Sequence, residues 1–156
     1  MIKTKKPIVD NQISLIEETH QYILETYPGL NFQSVTTVVG SFFEPFDAKK
    51  IATNLCDTHP KYKNIKPEQL IQEWQAASNH GSKVHKEIEL SIKENVKPSE
   101  PKATVALKWL DKYCKKSDIN IFTEIIVYSK KLKIAGTIDI LAYDKTDDVY
   151  EIIDWK

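Results

Sequence analysis

The chain has 156 residues, 41% of them hydrophobic and 28% charged. That is enough for one domain with a real core and matches the balance of a soluble globular protein. Its 22 basic and 22 acidic residues cancel, so net charge does not announce nucleic-acid binding, and no apolar run approaches membrane-spanning length.

In chain order, Met1-Ile2-Lys3-Thr4-Lys5-Lys6-Pro7 lacks the apolar stretch of a signal peptide. Ile13 to Ile16 and His20 to Leu24 read as two short strands around Glu17-Glu18-Thr19, and Pro28-Gly29 as a turn. Ser34 is placed to cap a helix through Phe43, which Pro45 ends, and Asp47 to cap another through about Cys56. Pro67 fits the first turn of a helix carrying Leu70, Ile71 and Trp74, which Asn79-His80-Gly81 is expected to break. Ser82 to Lys93 forms the next helix, with Val84, Ile88 and Ile92 as its apolar stripe. Asn95 to Pro101 reads as a loop and Ala103 to Lys116 as a helix. Three strands follow. The expected class is α+β, a single domain over 1–156 with a helical and hairpin part over 1–80 and a core over 81–156.

Those strands carry the chemistry. Asn120 to Tyr128 is rich in Ile, Val, Phe and Tyr; Ser129-Lys130-Lys131-Leu132 reads as a tight turn into Lys133 to Tyr143; and Asp144-Lys145-Thr146-Asp147-Asp148 reads as a hairpin loop before a strand reaching Lys156. Centring that loop between Thr146 and Asp147 sets Tyr143 opposite Tyr150, Leu141 opposite Ile152, and Asp139 opposite Asp154. Directly opposed residues have Cβ atoms roughly 4.5–5.5 Å apart, so one cation bridges both carboxylates. Alternation puts Lys156 on the face of Asp154 and turns Trp155 to the other. A two-residue loop at Lys130-Lys131 sets Glu124 opposite Thr137, beside Asp139. One face then carries Glu124, Asp139, Asp154 and Lys156. The other carries Ile121, Ile125, Val127, Ile134, Ile138, Ile140, Val149 and Ile153 and needs helices to cover it. The plainer alternative is a meander whose acids are solvated.

Elsewhere, His85 and Glu89 are four apart on one helical face, and both residue types bind metals. Isolated Cys56 and Cys114 suggest neither a disulfide framework nor a zinc site. The expected setting is reducing, intracellular and cytoplasmic, with a mitochondrial, phage or viral origin left open. Every basic residue is lysine; base-specific readout leans on arginine forks, so this composition favours backbone contacts. The lysine runs Lys61-Tyr62-Lys63-Asn64-Ile65-Lys66 and Lys108, Lys112, Lys115, Lys116 read first as solvated faces. Phe42, Phe43 and Phe46 are candidates to stack on bases, though their helical setting favours core packing.

Gly81-Ser82-Lys83-Val84-His85 with Glu89, then Glu124, then Gly136-Thr137-Ile138-Asp139, then Ile153-Asp154-Trp155-Lys156 form an ordered set. This set resembles the PD-(D/E)XK nuclease superfamily. The likeness is nearest the RecB-type exonuclease branch, which includes the mitochondrial genome maintenance exonuclease. Ser34-Val35-Thr36-Thr37-Val38-Val39 resembles a segment of that exonuclease and of phage-type relatives. The likeness spans about Ile13 to Lys156.

The resemblance implies a restriction-endonuclease-like αβββ core with an antiparallel three-stranded meander. It implies Asp139 and Asp154 as Mg²⁺ or Mn²⁺ ligands, Lys156 as the lysine that orients the attacking water, and His85 as an additional ligand. Glu124 and Glu89 match acidic positions near the metal. It further implies an exonuclease acting on single-stranded DNA ends, in DNA repair or replication. The four-cysteine iron–sulfur latch of some relatives is missing, so no iron–sulfur cluster is expected. The family core continues past the lysine with a helix and another strand. Those are lacking here, so the expectation is a fragment of a longer protein, or a partner chain that completes the sheet. Alternatives are a structure-specific endonuclease and a non-catalytic module that binds DNA or a partner.

Overall fold

In the computed structural model residues 10–156 are described, so the Met1–Pro7 stretch read above lies outside them. The class is α+β. The elements are β1 (Ile13–Ile16), β2 (Gln21–Leu24), β3 (Gln33–Ser34), α1 (Val35–Gly40), α2 (Ala48–Thr58), α3 (Pro67–Glu94), α4 (Pro101–Cys114), β4 (Ile119–Ser129), β5 (Ile134–Asp144) and β6 (Val149–Ile153). None of the helices is long and apolar enough to cross a membrane, among the described residues. The chain divides into two compact units. The first holds residues through Phe43 together with Tyr113–Trp155; the second holds Glu44–Lys112 with Lys156.

In the first unit β5 is the central strand. β4 lies antiparallel along one edge, and the other edge is shared by β6, antiparallel over Ile140–Asp144, and β3, parallel over Ile134–Ala135. The sheet is therefore mixed and four-stranded, where a pure meander was expected. The two-residue β3 carries too little pattern to be read as a strand. Pairing with β5 supplies its backbone partners, as in the bond from the Gln33 amide to the Lys133 carbonyl.

β3 runs directly into α1. Ser34 is the N-cap, its hydroxyl accepting from the Thr37 amide at 3.0 Å. This brings Val35 onto Gly136 of β5, where a Cβ would sit 2.9 Å from Val35 Cγ2. Gly136 is the residue that allows the close approach. α1 stops at Gly40, short of the expected Phe43. Phe42, Phe43 and Phe46 therefore share no inward helical face, and they are 80%, 69% and 70% exposed rather than core.

Both faces of the sheet are partly covered. Thr123, Ile125, Ile140 and Ala142 alternate onto the face expected to be apolar and are buried. The acid-bearing face is also apolar at one end. There the antiparallel β1–β2 hairpin sets Ile13, Tyr22 and Leu24 on Ala135, Ile126 and Tyr128. The Tyr22 hydroxyl lies 3.2 Å from Thr137 Oγ1, and the Tyr128 hydroxyl donates to Asp10. The short hairpin has a single apolar side and must bury it on something.

In the second unit α2, capped by Asp47 at the Lys50 amide, packs Ala52 and Cys56 against Leu70 of α3. Cys56 and Cys114 form no disulfide among the described residues. α3 begins at Pro67 and runs unbroken through Asn79-His80-Gly81, contrary to the expected break, so the boundary drawn at residue 80 falls inside a helix. A helical glycine costs about 1 kcal/mol relative to alanine. Burial of Leu70, Val84 and Ile88 along the same helix outweighs that. Asn95, left-handed at φ 56°, terminates α3. Glu87 then anchors the connection to α4, accepting from the Ser99 hydroxyl and from the Ser99 and Glu100 amides, the latter two at 2.7 Å each. Those bonds, the Ser99 hydroxyl foremost, hold its carboxyl below the ordinary 4.5.

Gly136→Ala is expected to destabilise the fold by about 1–3 kcal/mol through the forced shift of Val35; chemical denaturation measures it. Glu87→Ala is expected to lower the melting temperature at neutral pH. A group whose folded pKa is depressed contributes above its unfolded pKa and loses that contribution as pH falls through the folded value. The difference between wild type and variant should therefore shrink below about pH 4.5, which melting curves over an acid series would follow.

Candidate active site

The β5–β6 turn sets where the acids stand. Asp144 accepts from the Ser117 hydroxyl and the Thr146 amide, both at 2.8 Å. These bonds, led by Ser117, hold its carboxyl below the ordinary value against the opposing effect of burial. Asp148 takes a positive φ of 53° and accepts from the Tyr143 hydroxyl at 3.0 Å. The turn closes with Asp144 paired to Val149, so Tyr143 meets Tyr150 and Leu141 meets Ile152, as the sequence predicts. The Tyr143 and Tyr150 rings stack at 4.6 Å between centroids. On the other face Tyr113 donates to Glu151, and that carboxylate, together with burial, pushes the phenol up to about 12.

The β5–β6 ladder ends at Ile140–Ile153, although a strand through Lys156 was expected. The cause is local. The Trp155 amide donates to Asp139 Oδ2 at 3.0 Å, so a side chain takes up the main-chain donor two residues beyond the last ladder pair. Asp139 and Asp154 are the next residues beyond that last pair, outside the ladder. Asp139 is half-buried and Asp154 exposed. Lys156, also exposed, follows two residues later.

Glu124 differs from its expected position. The β4–β5 hairpin pairs Ile126, not Glu124, with Thr137, a two-residue shift that preserves the faces. The turn is longer than two residues: β4 ends at Ser129, β5 begins at Ile134, and Lys133 takes a φ of 55°. Between the pairs Thr123–Ile140 and Ile125–Ile138, Glu124 stands across from Asp139. Glu124 and Asp139 are thus cross-strand neighbours, and Asp154 follows the end of β6, one residue past the Ile140–Ile153 pair. Glu124 is itself left-handed, φ 54°, in mid-strand. Such a conformation costs roughly 1–3 kcal/mol and concentrates at functional sites. Glu124 also lines a pocket of about 240 Å³ with Asp10, Asn11, Ile13, Ile125 and Ile126.

His85 and Glu89 lie together on α3, in the second unit. His85 is half-buried. Glu89 is engaged by Lys86 at 2.9 Å and Lys93 at 2.7 Å. Burial would push its carboxyl up; the two ammonium groups, Lys93 foremost, outweigh that and hold it below the ordinary value. Among the described residues no three His, Cys, Asp or Glu side chains are grouped to hold one metal ion.

Two features of this region have no counterpart in the sequence pattern. The Trp155–Asp139 bond gives no signal because any amide serves as donor. The left-handed Glu124 gives none because that conformation favours Gly, Asn and Asp. The chain matches no protein-family model, no curated protein and no solved structure.

Asp139→Ala removes the acceptor for the Trp155 amide, whereas Asp139→Asn keeps one. A hydrogen bond to a charged group contributes about 1.5–3 kcal/mol. Amide hydrogen exchange at Trp155 is expected to quicken at least about tenfold in the alanine variant and less in the asparagine variant. Exchange at Ile140 should stay slow in both.

Proposed function

We propose that this chain is a metal-dependent DNA nuclease with a restriction-endonuclease-like core, acting as an exonuclease on single-stranded ends. The observation that carries the reading is the β5–β6 register, whose last pair, Ile140–Ile153, stands one residue short of Asp139 and Asp154, with the Trp155 amide donating to the Asp139 carboxylate. Two opposed carboxylates suit Mg²⁺ or Mn²⁺. Magnesium is commonly bound by one or two carboxylates and keeps several waters and substrate phosphate oxygens. A two-carboxylate set is compatible with the lack of a three-residue group noted above. In this reading Asp139 and Asp154 hold the ion, which when bound supplies polarisation of the phosphate and a more acidic water.

The remaining roles belong to the chain's own groups. The Trp155 amide fixes the orientation of the Asp139 carboxylate. Glu124, across from Asp139, orients water by accepting its hydrogen. The Lys156 ammonium positions the attacking water and offsets charge that builds on the phosphate oxygens. The water oxygen bonds to phosphorus as the bond from phosphorus to the leaving sugar oxygen breaks. One proton leaves the water for solvent, and the leaving oxygen takes one up. His85 and Glu89 stand on α3 in the second unit, where Lys86 and Lys93 engage Glu89, and the two-carboxylate reading does not call on them.

One observation favours a second reading, a non-catalytic module that binds DNA or a partner: the same lack of a three-residue ligand group among the described residues.

Labelled single-stranded DNA with Mg²⁺ separates the two. Wild type is expected to shorten linear substrate from its ends, to stop in EDTA, and to leave circular single strands intact. Asp139→Ala, Asp154→Ala and Lys156→Ala should each slow cleavage by about a hundredfold or more. Cleavage that survives all three substitutions refutes the site. Cutting of the circle makes it an endonuclease. Metal-independent binding without cleavage makes it the module.

A further inference from the structure

The second unit carries a groove that the candidate active site does not use. It measures about 450 Å³ and is lined by Lys97 and Pro98 from the α3–α4 connection and by Thr104, Leu107, Lys108, Asp111 and Lys112 of α4. Thr104, Lys108 and Lys112 are spaced four apart, so they form one ridge along the helix, with Leu107 and Asp111 as the neighbouring ridge. Pro98 and Leu107 are half-buried and supply an apolar floor, while Lys97, Lys108 and Lys112 are exposed along the rim.

The charge on this rim is not neutralised in the way it is elsewhere in the same unit. Lys83 pairs with Glu100 at 2.6 Å, and Lys86 and Lys93 pair with Glu89. Among the described residues, none of the ion pairs involves Lys97, Lys108 or Lys112. Asp111 is the single acid among seven lining residues. In a chain whose total charge is zero, three cations beside one anion around an apolar floor form a local positive site.

We propose that this groove binds the sugar–phosphate backbone of a single-stranded nucleic acid, an inference that rests on the nuclease reading for its choice of polymer. Lys108 and Lys112 are one helical turn apart, about 6 Å along the axis, a spacing comparable with that of successive phosphates on an extended strand. Lys97 reaches the same strand from the opposite wall. The apolar floor accepts a sugar or base face without reading its edge. Lysine is a point charge that binds phosphate without the planar fork of arginine, so the contacts are indifferent to sequence.

The test is fluorescence anisotropy of a labelled oligothymidylate with the full chain in EDTA, titrated at several salt concentrations. Each phosphate neutralised on a single strand contributes about 0.7 to the slope of log affinity against log salt. The triple variant Lys97→Gln, Lys108→Gln, Lys112→Gln is expected to lose at least about tenfold in affinity and about 2 in that slope. A control with the same charge change at scattered exposed positions, Lys50→Gln, Lys63→Gln, Lys131→Gln, should keep both within about twofold. Charge reversal at Lys108→Glu and Lys112→Glu should weaken binding further, and circular dichroism checks that each variant is folded. An unchanged slope in the groove variant overturns the proposal, as does an equal loss in the control. Polyglutamate competing as well as the oligonucleotide overturns it in favour of an acidic polypeptide. The nuclease reading fails separately: wild type that binds DNA through the groove and never cleaves keeps the groove and removes the enzyme. Wild type that cleaves while the groove variant binds normally does the reverse.

Discussion

The register between β5 and β6 is the constraint on which the candidate site depends. Side chains alternate across a strand, so a slip of one residue would turn Asp139 and Asp154 to opposite faces of the sheet. The chain guards against that slip at the turn. Asp144 gathers the Ser117 hydroxyl and the Thr146 amide, Asp148 takes the left-handed conformation the turn requires, and the stacked Tyr143 and Tyr150 rings lock the first pairs. The polar loop is thus the device that aims the acids several residues away.

β5 carries more than that one partner. Its far end pairs with β3 and receives Val35 of α1 at Gly136, while the β1–β2 hairpin covers Ala135 beneath Tyr22. Asp139 lies between this packed end and the β6 pairing. A carboxylate half-buried at such a position needs compensation, and the Trp155 amide provides one donor. The same bond ends the ladder, so the chain leaves the sheet beside the acids. Glu124, left-handed in mid-strand, stands across from Asp139 on the β4 side.

The second unit follows a different logic. Charged contacts tie α3 to the connection before α4, Glu87 to Ser99 and Glu100 and Lys83 to Glu100, while Lys86 and Lys93 pair with Glu89 within α3. Where acids and lysines alternate along α3 the charge is spent locally. Along α4 the lysines outnumber the acids, and the surface keeps a net sign. Total charge conceals this, since the composition balances over the whole chain and not over each surface.

The sequence by itself determined the α+β class, the caps at Ser34 and Asp47, the start of α3 at Pro67, and the β5–β6 register that pairs Tyr143 with Tyr150 and Leu141 with Ile152. All of these rest on short-range rules, a capping hydroxyl or carboxylate, a proline at a first turn, and a polar loop of defined length between alternating strands. Only the tertiary structure decided the continuity of α3 through Gly81, because burial of Val84 and Ile88 outweighs a local propensity. It also decided the parallel pairing of β3, the exposure of Phe42 and Phe43, and the shift that moves Glu124 from Thr137 to Asp139. Each of these depends on partners distant in the chain or on a loop whose length the turn residues do not reveal, and periodicity carries no record of either.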